Sequence, residues 1–272
     1  AVKAAVVALT EALNTGDSDL KFCSASALVE IFVKASGNFD GIGDDVKEAA
    51  VLALTEALTP ADSDGNWFAA WALGKILGKA SGSFDGIGAA VKAAVVALTE
   101  ALNAAGSNPN LKRSAAKALG EILGKASASL DVIGGDVQEA AVVALTEALT
   151  QADSDGKQIW WVAWALGEIL GKASGNLDGI GDDVKEAAVL ALRKAASADG
   201  HERLKMDAAR GLDEINMAGL RVGGGIGDDV KEAAVLALTK ASRWTRPAPW
   251  TKSTWRRHHG RLGRFGGIEG AI

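Results

Sequence analysis

Pairs of tryptophan or basic residues, four positions apart, are the side chains in this sequence whose spacing points to binding. Three such pairs occur: Trp67 and Trp71, Arg113 and Lys117, and Trp160 and Trp164. Residues four apart lie on the same face of a helix. Tryptophan and arginine are enriched among the residues that dominate binding energy at protein interfaces. The pairs therefore predict a helical surface that holds apolar and anionic groups of a partner.

Residues suited to catalysis or metal binding are scarce. The chain has one cysteine, Cys23, and three histidines, His201, His258 and His259. One cysteine cannot form an internal disulfide, and a zinc site needs more ligands than these. Cys23 has no histidine near it in sequence, and we expect it to be a buried or half-buried small residue. The sequence predicts no catalytic residue, no metal site and no cofactor.

The tryptophan and basic pairs occur within an internal repeat. The phrase Ala-Leu-Thr-Glu-Ala-Leu stands at residues 8–13, 53–58, 97–102 and 144–149. A second helical phrase follows each of the first five units, centred on Leu28, Leu73, Leu119, Leu166 and Leu212. These leucines are 45–47 residues apart, and a period of this length is typical of stacked helical units. We therefore predict five helix pairs, each a helix A followed by a helix B, and the first helix of a sixth pair.

The second unit illustrates the expected local structure. Apolar spacing predicts a helix A over about residues 46–58 and a helix B over about residues 67–79. Asp45 followed by Glu48 predicts a capping box at the start of helix A. A glycine-rich connector follows helix B, and we expect its two large apolar residues, Phe84 and Ile87, to be buried under the helices.

The segment from Leu111 to Ile122, with the sequence LKRSAAKALGEI, resembles the second helix of a HEAT or HEAT-like repeat. The resemblance covers residues 1–242. It implies an all-α, right-handed superhelical α-solenoid of about five and a half helix pairs, with repeats of 44–47 residues. Armadillo-like packing with an extra short helix is the alternative. HEAT and armadillo solenoids mostly serve as scaffolds for protein partners, and some HEAT-like proteins attach or detach bilin chromophores.

In HEAT-type solenoids helix B lines the concave surface. The resemblance therefore implies that the helix B residues that differ among the copies lie on the concave surface. The positions six and two residues before the central leucine give the predicted partner-binding residues: Phe22, Ser26, Trp67, Trp71, Arg113, Lys117, Trp160, Trp164, Met206 and Arg210. A second interpretation is that the tryptophans fill gaps between alanine-rich helices. A solvent-facing stripe of large aromatic side chains is unusual on a monomer surface, which favours the interpretation that the tryptophans bind a partner.

Charge and repetition divide the chain into two parts. Residues 243–272 carry a net charge of +6, and the whole chain carries −5, so residues 1–242 carry −11. An acidic body repels nucleic acid and anionic membranes at long range. We predict a repeat solenoid over residues 1–242, followed by a basic tail. Because residues 1–14 are identical to residues 90–103, we expect the chain to be a fragment that begins inside a helix A.

The tail has the signature of a shifted reading frame. Read from the third base of each codon, Trp244–Thr245 and Trp250–Thr251 both encode aspartate, six codons apart. Asp207 and Asp213 have the same spacing in the preceding helix B. We therefore interpret residues 243–272 as a frame-shifted, non-native sequence. The competing interpretation is an arginine-rich arm that binds nucleic acid.

The sequence thus predicts a non-catalytic scaffold that binds a protein or peptide, with acidic or phosphorylated groups pairing with its basic residues. The alternatives are an enzyme that resembles the HEAT-like bilin lyases and, less favoured, nucleic-acid binding through the tail. No stretch approaches the roughly 20 apolar residues of a membrane span, and the first residues lack the basic-then-apolar pattern of a secretory signal. We predict an intracellular, cytoplasmic protein without membrane or nucleic-acid partners.

Overall fold

The computed structural model describes residues 2–34, 42–58, 66–79, 84, 86–104, 108–124, 130–151, 159–172, 179–198 and 201–217. Within these residues the chain forms helices and no strand. The helices are α1 (Val2–Thr15), α2 (Ser18–Lys34), α3 (Asp44–Glu56), α4 (Trp67–Leu77), α5 (Gly88–Asn103), α6 (Pro109–Leu123), α7 (Leu130–Ile133), α8 (Gly135–Thr150), α9 (Trp160–Lys172), α10 (Asp182–Ser197) and α11 (Glu202–Met217).

The helices form two layers. The A helices α1, α3, α5, α8 and α10 pack side by side in chain order. The B helices α2, α4, α6, α9 and α11 pack in the same order in the second layer. Each pair contacts its neighbours along the chain, so the fold is an all-α solenoid of stacked helix pairs, as predicted. The short helix α7 lies in the connector before α8.

The core lies between the two layers and repeats with the sequence. The central leucine of every B helix is buried, with at most 1% of its surface exposed, and so is one matching leucine in each A helix from α3 to α10: Leu54, Leu98, Leu145 and Leu192. Burying one such side chain stabilises the fold by about 1.5–3 kcal/mol. Phe84 and Ile87 are 3% and 2% exposed. The predicted burial of the connector residues under the helices is confirmed.

Glycines let the B helices approach closely. A Cβ on Gly74 of α4 would lie 2.8 Å from the Cα of Ala118 on α6, and one on Gly120 would lie 2.9 Å from the Cα of Ala165 on α9. A Cβ on Gly167 would collide with the Cα of Gly211 on α11. Real Cβ atoms do not approach backbone this closely, so the spacing of these helices depends on glycine at these positions.

The predicted capping box is wrong. Gly43 is the N-cap of α3 and makes no side-chain capping bond, while Asp45 lies inside the first turn. Asp45 instead accepts a hydrogen bond from Lys3 Nζ of α1, at 2.6 Å. Glu139 likewise reaches the next unit, where its Oε2 accepts from the amide of Gly181 at 2.8 Å. These carboxylates therefore join neighbouring repeats rather than cap their own helices.

Three sequence-based predictions fall on other parts of the chain. The sixth helix A, the frame-shifted tail and the alternative of nucleic-acid binding through that tail all lie outside the described residues. In the part of the chain that the structure describes, no helix combines the length and apolarity that a membrane crossing requires.

Candidate functional site

The B layer places the predicted tryptophan and basic pairs on adjacent helices. Trp67 and Trp71 lie at the start of α4, while Trp160 and Trp164 lie at the start of α9. Helix α6 lies between α4 and α9 and contacts both. Its Arg113 and Lys117 are one and two turns into the helix and exposed. The sequence order of the pairs thus becomes a spatial order of aromatic, basic and aromatic helices.

These side chains line one groove with a volume of about 590 Å³. Seven of the ten predicted residues line it: Trp67, Trp71, Arg113, Lys117, Trp160, Trp164 and Arg210. Phe22, Ser26 and Met206 do not. Met206 is 43% exposed on α11, and Ser26 is half-buried on α2. A groove of this size is within the range that accommodates small ligands or a short segment of chain.

The four predicted tryptophans of the groove, Trp67, Trp71, Trp160 and Trp164, are half-buried and pack partly against the core. Trp164 leans over α6, where a Cβ on Gly120 would lie 3.1 Å from its Cζ3 atom. Packing between B helices, which was the second interpretation of the tryptophans, is therefore present. Each of these rings still contributes to the groove wall. The binding interpretation of these tryptophans stays a prediction.

Phe22 extends the aromatic stripe to the first repeat. Its ring centroid lies 5.8 Å from that of Trp67 in a tilted arrangement. It also meets Phe68 edge to face, at 6.4 Å. Such pairs contribute about 0.5–1.5 kcal/mol beyond their burial. Phe22 is 41% exposed, so it supports Trp67 while keeping part of its own ring in solvent.

One end of the groove is closed by charged residues of α11. The guanidinium carbon of Arg203 lies 3.5 Å from the ring centroid of Trp160, a cation–π contact. Arg203 Nε is also 3.7 Å from Asp207 Oδ2, which is buried and accepts no hydrogen bond. Burial raises the pKa of Asp207, although Arg203 and Arg210 act in the opposite direction. Arg210 Nε donates to Glu214 Oε1 at 2.9 Å.

A second ion pair crosses the groove between α4 and α6. Lys75 Nζ donates to Glu121 Oε1 at 2.9 Å, and both side chains are largely buried. Counted by type, the groove lining has five basic side chains and two carboxylates. The groove is therefore positive, although residues 1–242 as a whole are strongly acidic.

Sequence reasoning missed part of the lining, namely Gly74, Lys75, Ser114, Ala118, Glu121, Trp161, Arg203 and Asp207. Lys75 and Glu121 lie two residues after the central leucine, four residues beyond the predicted Trp71 and Lys117. They therefore share a face with the predicted pairs, and extending the pattern by one turn would have found them. Arg203 gave no such signal, because its contact with Trp160 joins two helices.

Two further expectations concern reactive groups. Among the described residues, no group of three or more His, Cys, Asp or Glu side chains could hold a metal ion. Cys23 is exposed, so the expectation that it would be buried or half-buried is wrong. The matching positions Phe68 and Trp161 are buried in interior pairs.

The two layers of stacked helix pairs give the chain an armadillo-like helical-repeat solenoid fold. No protein-family model matches the sequence, and no curated protein matches it. The structure is similar to a designed armadillo repeat protein solved in complex with the peptide (KR)4, with a TM-score of 0.61 and 20% identity over 94% of this chain and 97% of that one.

Two other solved structures show the same similarity. An engineered protein has a TM-score of 0.59 and 25% identity, with 88% of this chain and 96% of that chain covered. Computationally designed armadillo repeat proteins for modular peptide recognition give a TM-score of 0.54 and 20% identity over 86% of this chain and 98% of the other. These comparisons confirm the solenoid fold and the predicted HEAT/armadillo-like resemblance.

Proposed function

We propose that this protein is a non-catalytic scaffold that binds a segment of a protein or peptide in the groove of its B helices. The observation that carries the proposal is the groove itself, in which four half-buried tryptophans from α4 and α9 surround the basic residues of α6. Truncating a tryptophan in such a position costs about 2 kcal/mol or more of binding energy. That cost corresponds to about 30-fold in Kd.

The solved structures with this fold support the proposal. One of them holds a peptide, and another set was designed for peptide recognition. At 20% identity the similarity supports the fold as a peptide-binding framework, and the choice of ligand depends on the side chains of this chain.

A selection from a library of random displayed peptides tests the proposal. The native chain is compared with a variant in which Trp67, Trp71, Trp160 and Trp164 are changed to Ala. We expect peptides enriched on the native chain to bind the variant at least about 30-fold more weakly. If the fourfold variant loses helicity by circular dichroism, the double variant Trp71→Ala/Trp164→Ala replaces it.

A matched control removes exposed apolar side chains from the A layer. Leu52 on α3 and Leu190 on α10 are 39% and 51% exposed. The variant Leu52→Ser/Leu190→Ser should bind the selected peptides as the native chain does. The proposal is wrong if no peptide is enriched, or if the selected peptides bind the tryptophan variant and the native chain equally well.

A further inference from the structure

Among the described residues, the groove cations that have no carboxylate partner lie on one helix, α6. Arg113 and Lys117 of α6 are exposed, and within the described residues neither has a carboxylate within 4 Å. Arg113 donates to the neutral Asn110 Oδ1 at 2.9 Å. These two side chains therefore have charge left to pair with a ligand.

The other cations of the groove already have acidic partners. Lys75 is paired with Glu121 across α4 and α6. Arg203 lies between Trp160 and Asp207, and Arg210 is bonded to Glu214. Because each of these cations is paired with a carboxylate or an aromatic ring, the positive charge available to a partner lies on α6, between the tryptophan pairs of α4 and α9.

The apolar contacts lie on either side of that charge. Neighbouring helices pack about 8–10 Å apart, so the tryptophan pairs of α4 and α9 are about 16–20 Å from each other, with α6 between them. An extended peptide advances about 3.3 Å per residue. Five or six residues therefore span the distance from one aromatic pair to the other.

We infer, on the basis of the proposed function, that the groove takes an acidic peptide segment in which carboxylates lie between two large apolar side chains five or six residues apart. The carboxylates pair with Arg113 and Lys117, and the apolar side chains contact the tryptophans of α4 and α9. A basic peptide such as the (KR)4 of the similar designed structure would place like charges together. The preference of this groove is therefore opposite in sign.

Fluorescence anisotropy with four labelled peptides tests the inference. The first peptide has two leucines six positions apart with aspartates midway between them. In the second and third peptides asparagine and lysine replace the aspartates, and in the fourth serine replaces the leucines. We expect the first peptide to bind most tightly. The asparagine peptide should bind about tenfold more weakly, and the lysine peptide more weakly still.

A charge-reversal variant supplies the matched protein control. Both α6 side chains are exposed, so Arg113→Glu/Lys117→Glu should retain the helicity of the native chain. We expect this variant to prefer the lysine peptide to the aspartate peptide, and added salt to weaken the native preference. If the variant loses helicity, Lys117→Gln is used, and the aspartate preference should then shrink.

The outcomes separate this inference from the proposed function. If the aspartate, asparagine and lysine peptides bind equally, the charge preference is wrong, and loss of binding in the tryptophan variant would still support a peptide-binding groove. If the serine-substituted peptide binds as well as the first, the apolar spacing is wrong. If none of the four peptides binds, the inference is overturned, while the library selection continues to test the proposed function.

Discussion

Helices α1 and α5 contain the same sequence, residues 2–14 and 91–103, in different surroundings. Helix α5 packs between α3 and α8, whereas α1 packs against α3 on one side only. Val91 is fully buried in α5, while its counterpart Val2 is 50% exposed in α1. The comparison teaches that burial in this fold is set by the neighbouring pair and not by the sequence of the helix.

The B layer shows the same contrast between the first pair and the interior. Position by position, Gly74 of α4 corresponds to Val29 of α2. Gly74 allows α4 to approach the backbone of α6, whereas Val29 carries a branched side chain that is 8% exposed. Close approach through glycine is therefore found where α4 packs on α6, α6 on α9 and α9 on α11.

The largest expected effect comes from making the same substitution in both identical helices. Leu98 is fully buried, and the corresponding Leu9 is half-buried. Leu98→Ala should lower the free energy of unfolding by about 2–5 kcal/mol, because it leaves a cavity in the core. Leu9→Ala should cost less than half as much. Urea denaturation followed by circular dichroism measures both, and equal losses would contradict the role given to the neighbouring pair.

A smaller effect is expected from adding one methyl group between B helices. Gly167→Ala brings a Cβ against the backbone of Gly211, which should cost about 1–3 kcal/mol of unfolding free energy. The better helix propensity of alanine offsets up to about 1 kcal/mol of this. Asp213→Ala, at the same position of α11, is the control and should change stability by less than about 0.5 kcal/mol. A stabilised Gly167→Ala variant would show that the helices are not held at this spacing by glycine.

The smallest effect concerns the ion pair between α1 and α3. The hydrogen bond from Lys3 lowers the pKa of Asp45 below its usual value. A carboxyl group whose pKa is lowered in the folded state stabilises the fold at pH values above its unfolded-state pKa. This stabilisation is lost as the pH falls through the lowered, folded-state pKa. Lys3→Ala should therefore raise the pKa of Asp45 in an NMR titration. Lys92→Ala removes the same residue from the identical helix, and a shift of Asp45 there would argue against a direct contact.

Much of the fold could be predicted because the same pattern of residues occurs in successive repeats. The helix pairs, their order and the burial of Phe84 and Ile87 follow from the period and from apolar spacing. The capping box could not be distinguished from a cross-repeat contact. Asp45 has the spacing of a cap, but the position of Lys3 in the preceding A helix decides where its carboxylate points.

The sequence predicted which groove residues share a face of one helix, but not which residues of different helices contact each other. Spacing along one helix placed Trp67 with Trp71 and Arg113 with Lys117, and stacking brought these pairs to one groove. It did not show that Arg203 lies over Trp160, since that contact depends on the distance between two helices.

Because each helix pair contacts only its neighbours, the number of pairs can change without disturbing existing interfaces. Duplicating the three helix pairs from α3 to α9 would add a second aromatic–basic–aromatic period to the same groove. A ligand with two matching segments would then bind the second one at the effective concentration set by its linker, and avidity could rise by about 10²–10⁴-fold. Gene duplication could thus tune how long a partner remains bound without a new kind of contact.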